Sequence, residues 1–234
     1  MNEIVLKIEN VSKTFNLGKN KIQPLTNIDL EVKKGEFVAI MGPSGSGKTT
    51  LLNLIGCIDK PTDGKIFIEG IDISVLSESK LCRVRRDKIS FVFQSFNLLP
   101  YLNARENVEV AMELADKYSG QRKQKAKEFL ALVGLSGRED HRSLRLSQGE
   151  QQRVAIARAL STDPVIMLAD EPTGNLDGAN KQEIIKLLSE LNKKSGATIL
   201  MVTHDEQVAA CTQRILTLNQ GKITQQQKHK PSTQ

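Results

Sequence analysis

Gly42-Pro43-Ser44-Gly45-Ser46-Gly47-Lys48-Thr49 fits the pattern G-x-x-x-x-G-K-[ST], and the apolar run Phe37 to Met41 stands directly before it. A strand that feeds a glycine-rich turn into a helix cradles phosphate. The glycines let backbone N–H groups turn inward around an anion, and the helix opening near Gly47 adds the positive end of its dipole. Lys48 has the reach for β- and γ-phosphates, Thr49 offers the hydroxyl that a phosphate-bound Mg²⁺ takes, and Thr50 belongs to the same cradle. Further on, the apolar run Val165 to Ala169 ends in adjacent carboxylates, Asp170 and Glu171. In isolation these read as solvated acids before Pro172. Behind a phosphate loop they suit nucleotide hydrolysis, Asp170 holding Mg²⁺ through its water shell and Glu171 orienting or deprotonating the attacking water. Gln94 follows Ile89 to Phe93, and His204 follows Ile199 to Thr203, again at strand ends. The Gln94 carbonyl suits Mg²⁺ or the attacking water, and His204 can donate to the γ-phosphate.

Leu146-Ser147-Gln148-Gly149-Glu150 opens a helical run from Gln151 to Leu160. Locally this is a capping box, Ser147 capping the helix and Glu150 reaching back. The box leaves Gly149 in the first turn unexplained, since glycine costs helix stability. Close approach of an anion would account for it, making the Ser147 helix a second phosphate site. One chain's nucleotide already has its own cradle, so the economical arrangement is a dimer in which each Ser147 helix covers the γ-phosphate held by the partner.

The elements that must place these groups alternate. Ile4 to Ile8 and Ile28 to Val32 are predicted strands flanking a loop with Gly18 and Pro24, a β-rich N-terminal edge. A helix over about Lys48 to Ile55 and a strand over Lys65 to Glu69 follow, which points to an α/β core. Helical periodicity at Ala104 to Leu114 and Lys125 to Val133 predicts a helical lobe inserted over about 95–160, between core segments 1–94 and 161–224. Ile184, Leu187, Leu188 and Leu191 share one face of a helix closed by Gly196, and Ala197 to Thr203 and Arg214 to Leu218 are further strands. The polar, Gln-rich segment 225–234 is predicted to be disordered.

With 234 residues and 39% hydrophobic content, the chain can bury a substantial core. The net charge of +6 is spread among 27 acidic residues. The basic stretches Arg83 to Lys88 and Arg122 to Lys127 read as solvated helix faces, and with no aromatic residues interleaved no nucleic-acid partner is expected. Cys57, Cys82 and Cys211 are odd in number and in no C-x-x-C spacing, which predicts reduced thiols in a cytosol-like compartment. The N-terminal residues lack the features of a secretory signal, and no apolar run reaches the length of about 20 residues that spans a bilayer.

The ordered set resembles the ATP-binding cassette of ABC transporters over nearly the whole chain. Gly42 to Thr49 resembles its Walker A loop, Gln94 its Q-loop, Leu146 to Glu150 its signature, and Asp170-Glu171 its Walker B pair. Asn175-Leu176-Asp177 resembles the D-loop and His204 the switch histidine, while Phe15 stands where the family places an aromatic on adenine. Asn53 to Thr62 and Phe96 to Pro100 are similar to the macrolide-exporter and lipoprotein-release subfamily. The signature departs from Leu-Ser-Gly-Gly-Gln at Gln148 and Glu150, and keeps Ser147 and Gly149.

The resemblance implies a P-loop NTPase core with a mainly parallel sheet, an N-terminal antiparallel β subdomain and an inserted α-helical subdomain. It implies ATP and Mg²⁺ as ligands and a head-to-tail homodimer sandwiching two nucleotides, to which Asp177 contributes. A separate membrane permease for amphipathic cargo would place the chain in the cytoplasm, on the inner face of the membrane. A soluble cassette ATPase acting on ribosomes or nucleic acid is the alternative, and it usually carries a tandem cassette or a long coiled-coil insertion, neither of which this sequence has.

Overall fold

The computed structural model describes residues 3–18 and 20–228. Strand β1 (Ile4–Leu17) pairs antiparallel with β2 (Asn20–Lys33) and with β4 (Asp63–Ile68), and β5 (Ile71–Asp72) completes a four-stranded sheet in the order β2-β1-β4-β5. The second sheet takes β3 (Phe37–Met41), β6 (Ile89–Phe93), β7 (Ile166–Asp170), β8 (Ile199–Thr203), β9 (Arg214–Asn219) and β10 (Lys222–Lys228). Its order is β10-β9-β3-β8-β7-β6, parallel except for β10. The fold is therefore α/β with an antiparallel N-terminal sheet, as the sequence predicts.

The short parallel strands bury side chains on both faces, so they read as continuous apolar runs. Alternate residues serve two cores. Val38, Ile40, Leu168, Leu200 and Val202 pack with helix α1 (Lys48–Ile55) against the antiparallel sheet. Phe37, Ala39, Met167, Ala169 and Met201 pack on the other face. There they meet α3 (Ala104–Leu114), α4 (Arg122–Leu132), α5 (Gln148–Leu160) and α6 (Gly178–Ser195). Helix α2 (Glu78–Lys88) precedes β6, and short α7 (Glu206–Ala209) follows β8. The two basic stretches lie on α2 and α4, as expected of solvated helix faces.

Two expectations need correction. The hairpin β1–β2 is much longer than its predicted ends, and Pro24 lies inside β2, not in a loop. Pro is tolerated there because β2 is a sheet edge and the register shifts between Lys13/Leu25 and Phe15/Ile22. The segment predicted to be disordered from Gln225 instead continues β10 to Lys228, Gln225 pairing with Thr217 and Lys228 with Arg214. An edge strand is held through its backbone, which polar composition does not reveal. The rest of that segment, 229–234, lies outside the described residues.

Candidate nucleotide site

Register brings the strand-end groups together. Met41 of β3 pairs with Thr203 of β8, Val202 with Asp170 of β7, and Asp170 with Phe93 of β6. The residues just past these ends, Gly42, His204, Glu171 and Gln94, therefore stand side by side on one edge of the sheet, where parallel sheets take ligands. A cavity of about 560 Å³ opens there, lined by Ser44, Gly45 and Gly47 to Thr50 of the loop together with Pro24, Gln94, Glu171 and His204, while Gly42, Pro43, Ser46 and Asp170 stand behind its wall.

The loop is shaped as a phosphate cradle requires. Gly47 caps α1 in the left-handed conformation at φ 104, and a Cβ there would lie 2.5 Å from the Pro24 carbonyl oxygen. Lys48 is buried, its Nζ donating to the carbonyls of Gly42 at 2.7 Å and Pro43 at 2.9 Å. Ser46 Oγ is buried without a hydrogen-bond partner among the described residues, a rarity in folded proteins, and so suits a phosphate oxygen.

Asp170 and Glu171 diverge at the end of β7. Burial raises the Asp170 pKa above the ordinary carboxylate value and the Glu171 charge adds to the rise, while the Thr49 hydroxyl and the Lys48 ammonium oppose it. A cation would relieve that unfavourable charge. Thr49, Asp170 and Gln94 offer hydroxyl, carboxylate and amide oxygens, the hard donors Mg²⁺ takes. Among the described residues no cluster of three or more His, Cys, Asp or Glu stands ready to hold a metal ion.

Glu171 has a left-handed backbone at φ 46, a costly conformation for a residue with a side chain. Hydrogen bonds pin it on both sides, Glu171 N to Val202 O at 3.0 Å and Gly174 N to Glu171 O at 2.9 Å. The turn aims the carboxylate at the neighbouring strand end, where His204 Nδ1 lies 2.6 Å from Glu171 Oε2. Gln94 is held from the other side, its Nε2 donating to Asn175 Oδ1 at 3.1 Å.

Ser147, Gly149 and Asp177 do not line this cavity. They form a second group where α5 and α6 begin. Ser147 Oγ accepts from Glu150 N at 3.2 Å and Glu150 Oε2 accepts from Ser147 N at 2.8 Å, the predicted capping box. Asp177 caps α6 through Asn180 N at 3.0 Å. The same Asn180 explains Gly149 without an anion, since a Cβ on Gly149 would lie 2.3 Å from Asn180 Oδ1. Phe15 does not line the cavity either; it is exposed on β1 with Lys13 Nζ 4.8 Å above its ring. Pro24, expected in a loop, does line it, because the pairing of β2 carries it there.

A family model described as ABC transporter matches residues 25–174. The uncharacterized ABC transporter ATP-binding protein MJ0796 of Methanocaldococcus jannaschii is 48% identical over 96% of this chain and 97% of its own length. Its cassette, solved as a dimer in a post-hydrolysis state bound to ADP and Pi, superposes with a TM-score of 0.87 at 45% identity, over 96% of this chain and 99% of that one. The macrolide export ATP-binding/permease protein MacB of Wolinella succinogenes is 44% identical over 97% of this chain, which spans only 35% of that relative. The chain belongs to the ABC transporter ATPase family.

Proposed function

We propose that the chain is the ATP-hydrolysing subunit of a transporter, and that two copies close head to tail over two nucleotides. The observation that carries this reading is the split of the site. The phosphate loop, Glu171 and His204 share one cavity, while Ser147 and Gly149 stand outside it on the same chain. A partner's Ser147 helix would complete each cavity, and the dimeric MJ0796 cassette bound to ADP and Pi supports such a closure.

In this mechanism the loop amides and Lys48 bind the β- and γ-phosphates. Thr49, Asp170 and Gln94 hold Mg²⁺, which when bound neutralises phosphate charge. Glu171 takes a proton from a water whose oxygen attacks the γ-phosphorus, and the bond to the ADP oxygen breaks. When ATP is bound, His204 gives its N–H to the γ-phosphate in place of Glu171. ATP then favours the closed dimer and ADP its opening and separation, because only the γ-phosphate is gripped from both sides.

No helix among the described residues is long and apolar enough to cross a membrane. In this reading a separate membrane permease receives the motion, its cytoplasmic helix docking beside the helical lobe. A mostly apolar cavity of about 360 Å³, walled by Phe91, Phe93, Leu114 and Arg158, suits such a helix. The likeness to a macrolide export protein supports export, and the cargo proposed is amphipathic, such as a drug, peptide or lipoprotein. Phosphate release from Mg·ATP by the purified chain tests the reaction, and co-purification from membranes tests the partner. Absence of turnover, or recovery of ribosomes or DNA in place of a membrane protein, contradicts this function.

A further inference from the structure

A side-chain amide has an acceptor at one atom and donors at the other, and only the acceptor serves a cation. Gln94 must therefore present Oε1 to its ligand, and a backbone group decides whether it does. The side-chain amide of Asn175 lies 3.0 Å from the Gln94 main-chain carbonyl, which can only accept, so the Asn175 atom there is Nδ2. Asn175 Oδ1 then faces the Gln94 side chain at 3.1 Å, and the atom that meets it must be the donor Nε2. Oε1 is the atom left to face a ligand. Gly174 makes room for this arrangement, since a Cβ there would lie 2.6 Å from Gln94 Nε2. Gln94 and Asn175 are both exposed, so their mutual hydrogen bonds, not packing, order the amide.

We propose that Asn175 is a positioning residue of the nucleotide site, locking the Gln94 amide with its carbonyl oxygen toward the cation and its NH₂ group away. The inference rests on the Mg·ATP chemistry proposed above and extends it to a residue that touches neither metal nor phosphate. Without Asn175 the amide is free to rotate, and binding must then order it, which weakens affinity.

The test uses Mn²⁺ as the probe metal with a non-hydrolysable ATP analogue on the full chain, bound metal being counted by electron paramagnetic resonance. Asn175→Ala is expected to weaken Mn²⁺ binding about fivefold, the worth of one ordinary hydrogen bond. Gln94→Ala is expected to weaken it at least as much, and the double variant no further, because Asn175 acts only through Gln94. Gln94→Glu gives a second background, since no donor remains there for Asn175 Oδ1 and Asn175→Ala should again add nothing. Analogue affinity without metal should stay within about twofold throughout, as for a group that orders the metal ligand alone. Unchanged Mn²⁺ binding in Asn175→Ala, or an equal further loss in both Gln94 backgrounds, overturns the inference. Failure of the wild-type chain to bind the analogue at all overturns the nucleotide site itself, and the Asn175 assignment with it.

Discussion

His204 Nδ1 and Glu171 Oε2 are 2.6 Å apart, so the two groups assigned to the attacking water and to the γ-phosphate hold each other in place. They come from adjacent parallel strands, and the left-handed backbone of Glu171 closes the gap between them. Replacing His204 with Ala should slow ATP hydrolysis about 10²- to 10³-fold, the usual worth of one hydrogen-bond donor aimed at charge that develops in the transition state. ATP affinity should change little, because the loop and Lys48 remain. Phosphate release and equilibrium nucleotide binding on the same variant check this, and a parallel loss in both would assign His204 to binding instead.

Lys48 rests on the Gly42 and Pro43 carbonyls, which position its ammonium over the loop. Lys48→Ala should weaken ATP binding at least tenfold, given that a hydrogen bond to a charged group is worth about 1.5–3 kcal/mol. Isothermal titration measures it directly, and unchanged affinity counts against the cradle.

Gly149 is small because of Asn180, so its substitution should be a packing fault before it is a catalytic one. Gly149→Ala is expected to cost about 1 kcal/mol of stability, since the crowded Asn180 amide can turn aside at the expense of its hydrogen bond to Asp177. Combining it with Asn180→Ala should recover most of that loss. Chemical denaturation of the nucleotide-free single and double variants provides the comparison.

Much of the site was legible because its groups lie past short apolar runs. Gln94, Glu171 and His204 each follow a buried strand, and the in-register parallel sheet turns three sequence positions into one edge. The hairpin β1–β2 was harder to read, because its middle carries buried polar residues with particular partners. Ser12 Oγ donates to Asn27 Oδ1 at 3.1 Å, and Lys13 Nζ meets Asp59 Oδ1 at 2.6 Å. Such pairs are invisible until distant segments meet, and with them went the position of Pro24. The reason for Gly149 was hidden in the same way, since Asn180 is its neighbour only after α5 and α6 pack.

Asp170 links stability to pH with a definite sign. Its folded pKa is raised, so the folded chain holds the proton more tightly than the unfolded one. The penalty of ionising it is absent below the unfolded pKa and grows as pH rises through the folded value. Asp170→Asn should therefore raise the nucleotide-free melting temperature at neutral pH, with no gain in acid, while removing Mg²⁺-dependent hydrolysis. Thermal melts across the carboxylate range follow it, and a gain that is instead largest in acid contradicts the assigned sign.

In the proposed function each cavity is half of a site completed by a second copy of the chain. Glu171→Gln keeps the loop, Lys48 and Asp170 but removes the base, so bound ATP should persist and hold the dimer closed. Sedimentation velocity of this variant should show a monomer without nucleotide or with ADP and a dimer with Mg·ATP. A monomer at saturating Mg·ATP would contradict the shared site.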